Sequence, residues 1–443
     1  MGVALITNSE PPVRCGWCVH VCGSLSFSVA VLQGYLQVER LSMNFLRAAT
    51  RRYSVMSASM ISSECSPFTN AVVSSMRKLY FTPHSFPKLP ALYGALFNLV
   101  YAVTRKHWQT RASIIQDVML LEAPFDKSRI QKNSVLLTID LTTAVADEAI
   151  KNRNSIIVAY HPIIFRGLKS LTFADTQQRS LLRLAQHGIS VYSPHTAVDT
   201  VPGGMADWLC DVVTGNFNPA QTPNTTLKSC TSSMYSAPTY PDSPIPTVQA
   251  QTSGPAHTRS TIHPSPPASI PEGFESAGAG RLVTFAENQP LTTLIDNIAR
   301  GIGLPGGIPI AVPQGKSVDD ISIRTVGMCP GSGSGVLLKG DGELPDLLLT
   351  GEMSHHEALA ATERGSVVIS LSHTNSERGY LRSVMQPKLL DEVTKQWEQS
   401  VSLEAGNDEI GVIRTLAKDQ GAVEVSVSDA DRDPYGIMIW RGN

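Results

Sequence analysis

The sequence predicts an α/β protein of two related lobes, each a mixed sheet flanked by helices, with a metal site between them. Three observations carry this expectation. Apolar, β-branched runs alternate with helical patterns from Ser134 onward, the order expected of right-handed crossovers in a largely parallel sheet. The pattern stops over a Pro-, Ser-, Thr- and Gly-rich stretch and then resumes, giving two patterned blocks. Each block has a strand running into His-Thr-x-x-acid: His195-Thr196-Ala197-Val198-Asp199 in the first, His373-Thr374-Asn375-Ser376-Glu377 in the second.

Composition narrows the function classes. A chain of 443 residues has room for two or three domains. With 36 Lys and Arg against 38 Asp and Glu, it lacks the basic excess that direct nucleic-acid or membrane-surface binding draws on. Seven cysteines in this length do not make a disulfide scaffold, so a reducing compartment is expected. Cys15, Cys18 and Cys22 gather near His20, but no second cysteine pair follows to complete a zinc site. No run reaches the ~18–20 apolar residues of a membrane helix. The best candidate, Leu89 to Val103, carries Pro90 and Asn98 and reads as a buried helix.

Residues 1–65 are expected to be a disordered N-terminus. From Met43, MNFLRAATRRYSVMSASMISS has Arg47, Arg51 and Arg52 and no acid before Glu64. That composition suits a mitochondrial transit segment and an arbitrary tail equally, so the expected location is cytoplasmic or mitochondrial.

The first lobe spans 66–215. Ser134–Leu141 (SVLLTIDL) reads as a buried strand, and TTAVADEAIKN as a helix with Ala144, Val145, Ala149 and Ile150 on one face. Ser155–Pro162 is a strand stopped by Pro162. A helix from Thr176 to His187 is capped by Gly188, and Ile189–His195 is the next strand before a helix in GGMADWLCDVV. Residues 216–280 are read as a disordered insertion, because so polar a stretch cannot bury enough apolar area to offset its ordering. It would serve as a passive linker or a docking loop.

The second lobe spans 281–400. RLVTFAE is a strand, LTTLIDNIARGIGL a helix ending at Gly301 or Gly303, and Ile321–Cys329 a strand followed by a tight turn in PGSGSG. That turn lacks the Gly-Lys-Ser/Thr ending of a phosphate-binding loop. DLLLTGE is a strand, Ser354–Arg364 a helix and Ser366–His373 a strand. Residues 401–443 form a polar, acidic tail with strand character.

A histidine at a strand tip and a carboxylate four residues on can converge, because the chain turns just after the strand. Neutral imidazole plus carboxylate is the donor mixture that binds Zn²⁺, Fe²⁺ or Mn²⁺. Tyr160-His161-Pro162 supplies a third such tip, and open α/β sheets place their sites at the carboxyl ends of strands. The alternative is that each histidine is a hydrogen-bonded structural residue. Asp140 would either orient a ligand or cap the following helix. Glu352, His355 and His356 would either approach the site or form a polar first turn.

The segments IDLTTAVADEAI, YHPIIFRGLKSLT, YSPHTAVDTVPGG, TGEMSHHEAL and SHTNSERGYL resemble, in order and spacing, motifs of the NGG-one-interacting factor three family, whose members are also labelled GTP cyclohydrolase 1 type 2 homologues. SPFTNAVVSSMRKLY is similar to that family's N-terminal helix. Phe81 to about Gln116 departs from the family pattern and is read as a misjoined coding segment. The resemblance implies a two-lobed fold assembled as a toroidal hexamer with metal ions facing an inner cavity. Carried over by motif, the ligands are His161, Asp199, His373 and Glu377; if a bound ion activates water, Glu377 or Asp199 would double as ligand and proton partner in catalysis. Tyr160, His195, Asp140, Glu352 and His356 would orient ligands or touch substrate. Tyr160 stands where many bacterial relatives have a further histidine, and a phenol of pKa near 10 is a poorer ligand, so one or two ions are expected per subunit. Two functions follow: a metal-dependent hydrolase of a nucleotide-like small substrate, or a metal-stabilised oligomeric scaffold that binds another protein. No residue pattern selects GTP.

Overall fold

Strands that read as unbroken apolar runs are covered on both faces, and they form the centres of two mixed sheets. The structure is a computed structural model. It describes residues 66–80, 119–123, 131–216, 235–236, 254–266, 270, 272–303, 307–340, 342–403 and 420–438, all within the unit Ser63–Asn443. The N-terminal cysteine cluster, the transit-like stretch, the segment 81–118 and much of the 216–280 stretch lie outside the described residues.

In chain order the first block contains α1 (Pro67–Tyr80), β1 (Met119–Leu121), β2 (Ser134–Thr138), α2 (Thr143–Asn152), β3 (Ile156–Ala159), α3 (Thr176–Gln186), β4 (Ser190–Ser193), α4 (Thr196–Thr200) and α5 (Met205–Thr214). After the short β5 (Tyr235–Ser236) come β6 (His257–Pro264), β7 (Gly278–Pro290), α6 (Leu291–Ile302), β8 (Ile310–Ala311), β9 (Ser322–Ser332) and α7 (Ser334–Leu337). The chain continues with β10 (Leu347–Glu352), α8 (His355–Glu363), β11 (Val367–Ser370), α9 (Asn375–Tyr380), α10 (Gln386–Leu403), β12 (Glu424–Val427) and β13 (Ile437–Met438).

The first sheet has the order β1-β4-β3-β2-β12, parallel except for β1 at its edge. The second has the order β6-β7-β9-β10-β11-β8, with a parallel centre of β9, β10 and β11. Period-two alternation explains the layering. Val135 and Leu137 of β2 and Leu347 and Leu349 of β10 face one shared core, together with α1, α5, α6 and α10. Leu136 faces the opposite side, under α2 and α3. Leu348 and Val368 face out beneath α8. Helix α1 is fixed to α10 by an edge-on Phe68–Trp397 ring contact with centroids 5.5 Å apart and by the 2.7 Å Lys78–Glu392 ion pair.

Several expectations are corrected in detail. In α2 the buried residues are Val145, Ala146 and Ala149, while Ala144 is exposed. The reading of 216–280 as one disordered stretch does not hold for 257–264. HTRSTIHP forms edge strand β6, whose Thr and Ile residues suit a half-exposed ladder on β7. PGSGSG is not a simple turn, since β9 runs through it to Ser332. The choice between Gly301 and Gly303 falls on Gly303, which caps α6 with φ +72°. The tail strand β12 is the fifth strand of the first sheet, parallel to β2.

Arg281 ties the blocks together. It lies on β7, is 2% exposed, and donates to both Asp207 oxygens, at 2.8 and 3.3 Å. It also donates to the carbonyls of Thr200 and Val201, at 3.2 and 3.3 Å, which directly follow Asp199. Replacing it with Met removes the guanidinium from Asp207 and both carbonyls, leaving Asp207 with the Gly203 N–H and Val201 O with the Gly204 N–H. Arg281→Met is expected to lower the unfolding free energy by on the order of 3 kcal/mol in equilibrium urea denaturation.

Candidate metal centre

Strand tips from both sheets carry the candidate ligands to one place. The β2–β3 ladder continues past the strands: the Tyr160 and His161 N–H groups donate to the carbonyls of Thr138 and Ile139 at 2.9 and 3.0 Å. His161 is thereby set beside Asp140. At the other sheet, Leu371 N–H donates to Thr350 O at 2.9 Å, and the chain then reverses at Ser372, φ +69°. His195 has φ +43° just before α4. Left-handed backbone at non-glycine residues costs of order 1–3 kcal/mol and persists where surrounding packing over-determines it. Here it sits beside both His-Thr-x-x-acid segments.

The donor atoms of His161, His373 and Glu377 all lie within 4.8 Å of one another, and among the described residues this is the one such trio of His, Cys, Asp or Glu. His161 Nε2 is 3.6 Å from Glu377 Oε2. His373 Nε2 is 3.6 Å from Glu377 Oε1. Those separations are long for hydrogen bonds. They match two donors sharing one ion, since bonds near 2.1 Å at a tetrahedral angle put donors about 3.4 Å apart. Glu377 is 1% exposed, and its Oε2 is buried without a hydrogen-bond partner. An orphaned carboxylate oxygen between imidazole nitrogens fits a cation. Space is kept for it by Gly331 at φ +62°, where a Cβ would come within 2.8 Å of Glu377 Oε1 and 3.1 Å of His373 Nε2. This His/His/Glu group could hold a metal ion.

Each imidazole has a carboxylate beside its far nitrogen, and Asp140 hydrogen-bonds to that of His161. Asp140 Oδ1 is 2.9 Å from His161 Nδ1, and Glu352 Oε2 is 3.1 Å from His373 Nδ1. With its Nδ1–H given to Asp140, His161 turns its Nε2 lone pair toward Glu377. Asp140 does not cap α2, because Thr142 does so by accepting from Val145 N–H. Burial would lower the His161 pKa, but the Asp140 and Glu377 carboxylates outweigh it and raise it to about 10. Without a cation the cluster therefore holds a proton there. Burial also raises the Glu377 pKa.

The two echoed segments diverge in their partners. Asp199 is held by the Tyr160 hydroxyl, 2.8 Å from both carboxylate oxygens. Burial and the nearby Glu377 charge raise its pKa to about 7. His195 packs its ring against those of Tyr160, His161 and Phe165, with centroids 5.5, 5.7 and 5.8 Å away. His356 pairs with the His355 ring at 5.2 Å in the exposed first turn of α8, where Ser354 and Glu357 form a capping box.

Sequence reading did not single out several residues around this site. Cys329, directly before Pro330-Gly331, has its thiol pKa pushed to about 12 by burial and by Asp199 and Glu377. Arg378 pairs with Asp431 at 2.7 Å, and Asp433 accepts from Thr374. The DADRD run was the available signal for these last contacts, but its acidity reads as a solvated tail.

Comparison with known proteins places the chain in a family. A profile of the Duf34/NIF3 (NGG1p interacting factor 3) family matches residues 125–406. Protein NIF3 homolog of Schizosaccharomyces pombe is 41% identical over 281 residues, 63% of this chain and 82% of the relative. NGG1-interacting factor 3 of Saccharomyces cerevisiae is 35% identical over 264 residues, covering 59% and 76%. Among solved structures, a Bacillus cereus protein related to NIF3 aligns with a TM-score of 0.47 at 16% identity, covering 82% of this chain and 97% of that one. Because the profile match spans more than half of the chain, this protein belongs to the Duf34/NIF3 (NGG1p interacting factor 3) family.

Proposed function

We propose that the protein binds one divalent ion, Zn²⁺, Fe²⁺ or Mn²⁺, through His161, His373 and Glu377, and hydrolyses a small electrophilic substrate of nucleotide-like type at that site. The observation that carries this reading is the buried, unpartnered Glu377 oxygen 3.6 Å from an imidazole nitrogen. A bound divalent ion supplies Lewis-acid activation of water near neutral pH. The chain's residues do the rest. Asp140 keeps the His161 Nε2 pointing inward, Glu352 lies beside the far nitrogen of His373, and Gly331 leaves room beside both rings. Asp199 completes the ligand set or accepts a proton, and Glu377 shares that proton role. The Tyr160 hydroxyl engages Asp199 where a second ion would need both groups, which supports one ion rather than two.

A second reading, a metal-stabilised oligomeric scaffold that binds a protein partner, draws on a different observation. Phe165, Leu168, Leu171 and Phe173 expose 63, 46, 42 and 63% of their surface within one short loop, and exposed apolar clusters mark interaction surfaces. The name of the Saccharomyces cerevisiae relative, NGG1-interacting factor 3, describes such a partnership for that protein. Assembly as a homo-oligomer, including a hexamer, belongs to this proposal. Among the described residues, no helix is long and apolar enough to cross a membrane.

Elemental analysis of protein reconstituted with each metal is expected to return about one equivalent. Uptake below ~0.2 equivalents for all three ions contradicts the metal reading. Gly331→Ala, which pushes a methyl group into the donor trio, is expected to weaken zinc binding by tenfold or more while circular dichroism stays native. Tyr160→His is expected to raise the stoichiometry toward two; an unchanged single equivalent removes Tyr160 as the reason for one ion. Turnover across a panel of nucleotides, lost in Glu377→Gln, separates the hydrolase from the scaffold.

A further inference from the structure

The acidic segment after β12 touches both halves of the metal centre, and we infer that Asp431 and Asp433 are positioning residues for its ligands, so that docking of this segment and loading of the ion strengthen each other. This rests on the reading of His161, His373 and Glu377 as ligands. The segment lies beyond residues 125–406, the span that matches the family profile.

The ties run in sequence. β12 pairs in parallel with β2, and Gln386 of α10 donates to Val425 O at 2.8 Å. The turn after it is gripped by Glu148 of α2, which accepts from the Ser428 hydroxyl and from the N–H groups of Asp429 and Ala430, the latter two at 3.0 and 3.3 Å. Asp431 Oδ2 then accepts from Ile139 N–H at 2.7 Å and pairs with Arg378 at 2.7 Å. Ile139 directly precedes Asp140, which holds His161, and Arg378 directly follows Glu377. Asp433 Oδ2 accepts from the N–H and hydroxyl of Thr374, at 3.1 and 2.7 Å, and Thr374 directly follows His373. The same hydroxyl accepts from Arg378 Nε and Nη2 at 3.0 and 2.9 Å. Every ligand is therefore reached from one of two carboxylates through a neighbouring residue.

These carboxylates are 3% and 1% exposed. Buried charges persist only where paired and hydrogen-bonded, so the segment is anchored by them rather than resting on the surface. The helix they hold starts at the site: α9 runs on through a π-helical turn at Leu381–Met385 into α10, and Thr374 at its N-cap makes no side-chain capping bond to it, so the orphan groups of its first turn depend on neighbouring segments. Glu377 is thus aimed by a scaffold that includes the tail. Coupling of this kind is reciprocal: whatever the tail adds to ion affinity, the ion adds to tail docking.

The test uses the metal-stripped full chain. Zinc ion alone is titrated against a chromophoric chelator, and cobalt(II) is substituted to read the site by its visible absorption band, for wild type, Asp431→Asn, Asp433→Asn and the exposed control Asp429→Asn. Loss of groups that orient ligands typically weakens metal affinity 10–100-fold. That weakening, with a shifted cobalt band, is expected for D431N and D433N and not for D429N. In wild type, zinc is expected to slow amide hydrogen exchange across residues 428–438 several-fold, a readout that needs no variant to fold. Wild-type binding with D431N and D433N within twofold of it, unchanged bands and unaltered exchange at 428–438 overturns this inference and leaves the metal reading standing. A wild-type chain that takes up no ion overturns both.

Discussion

A carboxylate taken out of water needs a partner, and the buried Glu377 has two imidazoles at the wrong distance for hydrogen bonding. Glu377 is enclosed by the tips of both sheets, with His161 arriving from β3 and His373 from β11, each Nε2 at 3.6 Å. An anion so buried is costly unless protonated or paired with a cation. Much of the local architecture can be understood as support for that arrangement. Asp140 orients the His161 ring, Gly331 leaves the space a Cβ would fill, and Arg281 fastens the carbonyls that follow Asp199.

The two halves repeat a backbone plan and differ in chemistry. Both run from a parallel strand through left-handed backbone into a helix whose first turn carries the acid. In the second half the histidine and the acid of the echo belong to the same donor trio. In the first, the acid is engaged by a phenol from the adjacent strand tip, and the trio draws His161 from that tip instead. Repetition therefore supplies the backbone plan, while the Tyr160 hydroxyl takes up the acid of the first half.

The fold was largely readable because its central strands are continuous Val, Leu and Ile runs. That is the pattern demanded by burial on both faces, and it distinguishes them from the alternating helical segments. His161, His373 and Glu377 were readable for a related reason: strand ends are where α/β sheets gather functional groups. What escaped was non-local. β6 is a polar edge strand whose stability comes from its ladder with β7, so its composition imitates a linker. Ala146 faces in where Ala144 was expected, because the apolar side of a short alanine-rich helix is weakly defined by sequence. Asp431 and Asp433 look like a solvated acidic tail until β12 is seen paired with β2, a contact between residues almost three hundred positions apart.

The most direct test of the donor trio is X-ray absorption at the metal edge of the reconstituted full-length protein. The account predicts a first shell with two imidazole nitrogens near ~2.0–2.1 Å and carboxylate oxygen near ~2.0–2.2 Å, with the imidazole contribution falling by half in His373→Ala. A shell of oxygen donors alone, or one that His373→Ala leaves unchanged, would contradict it.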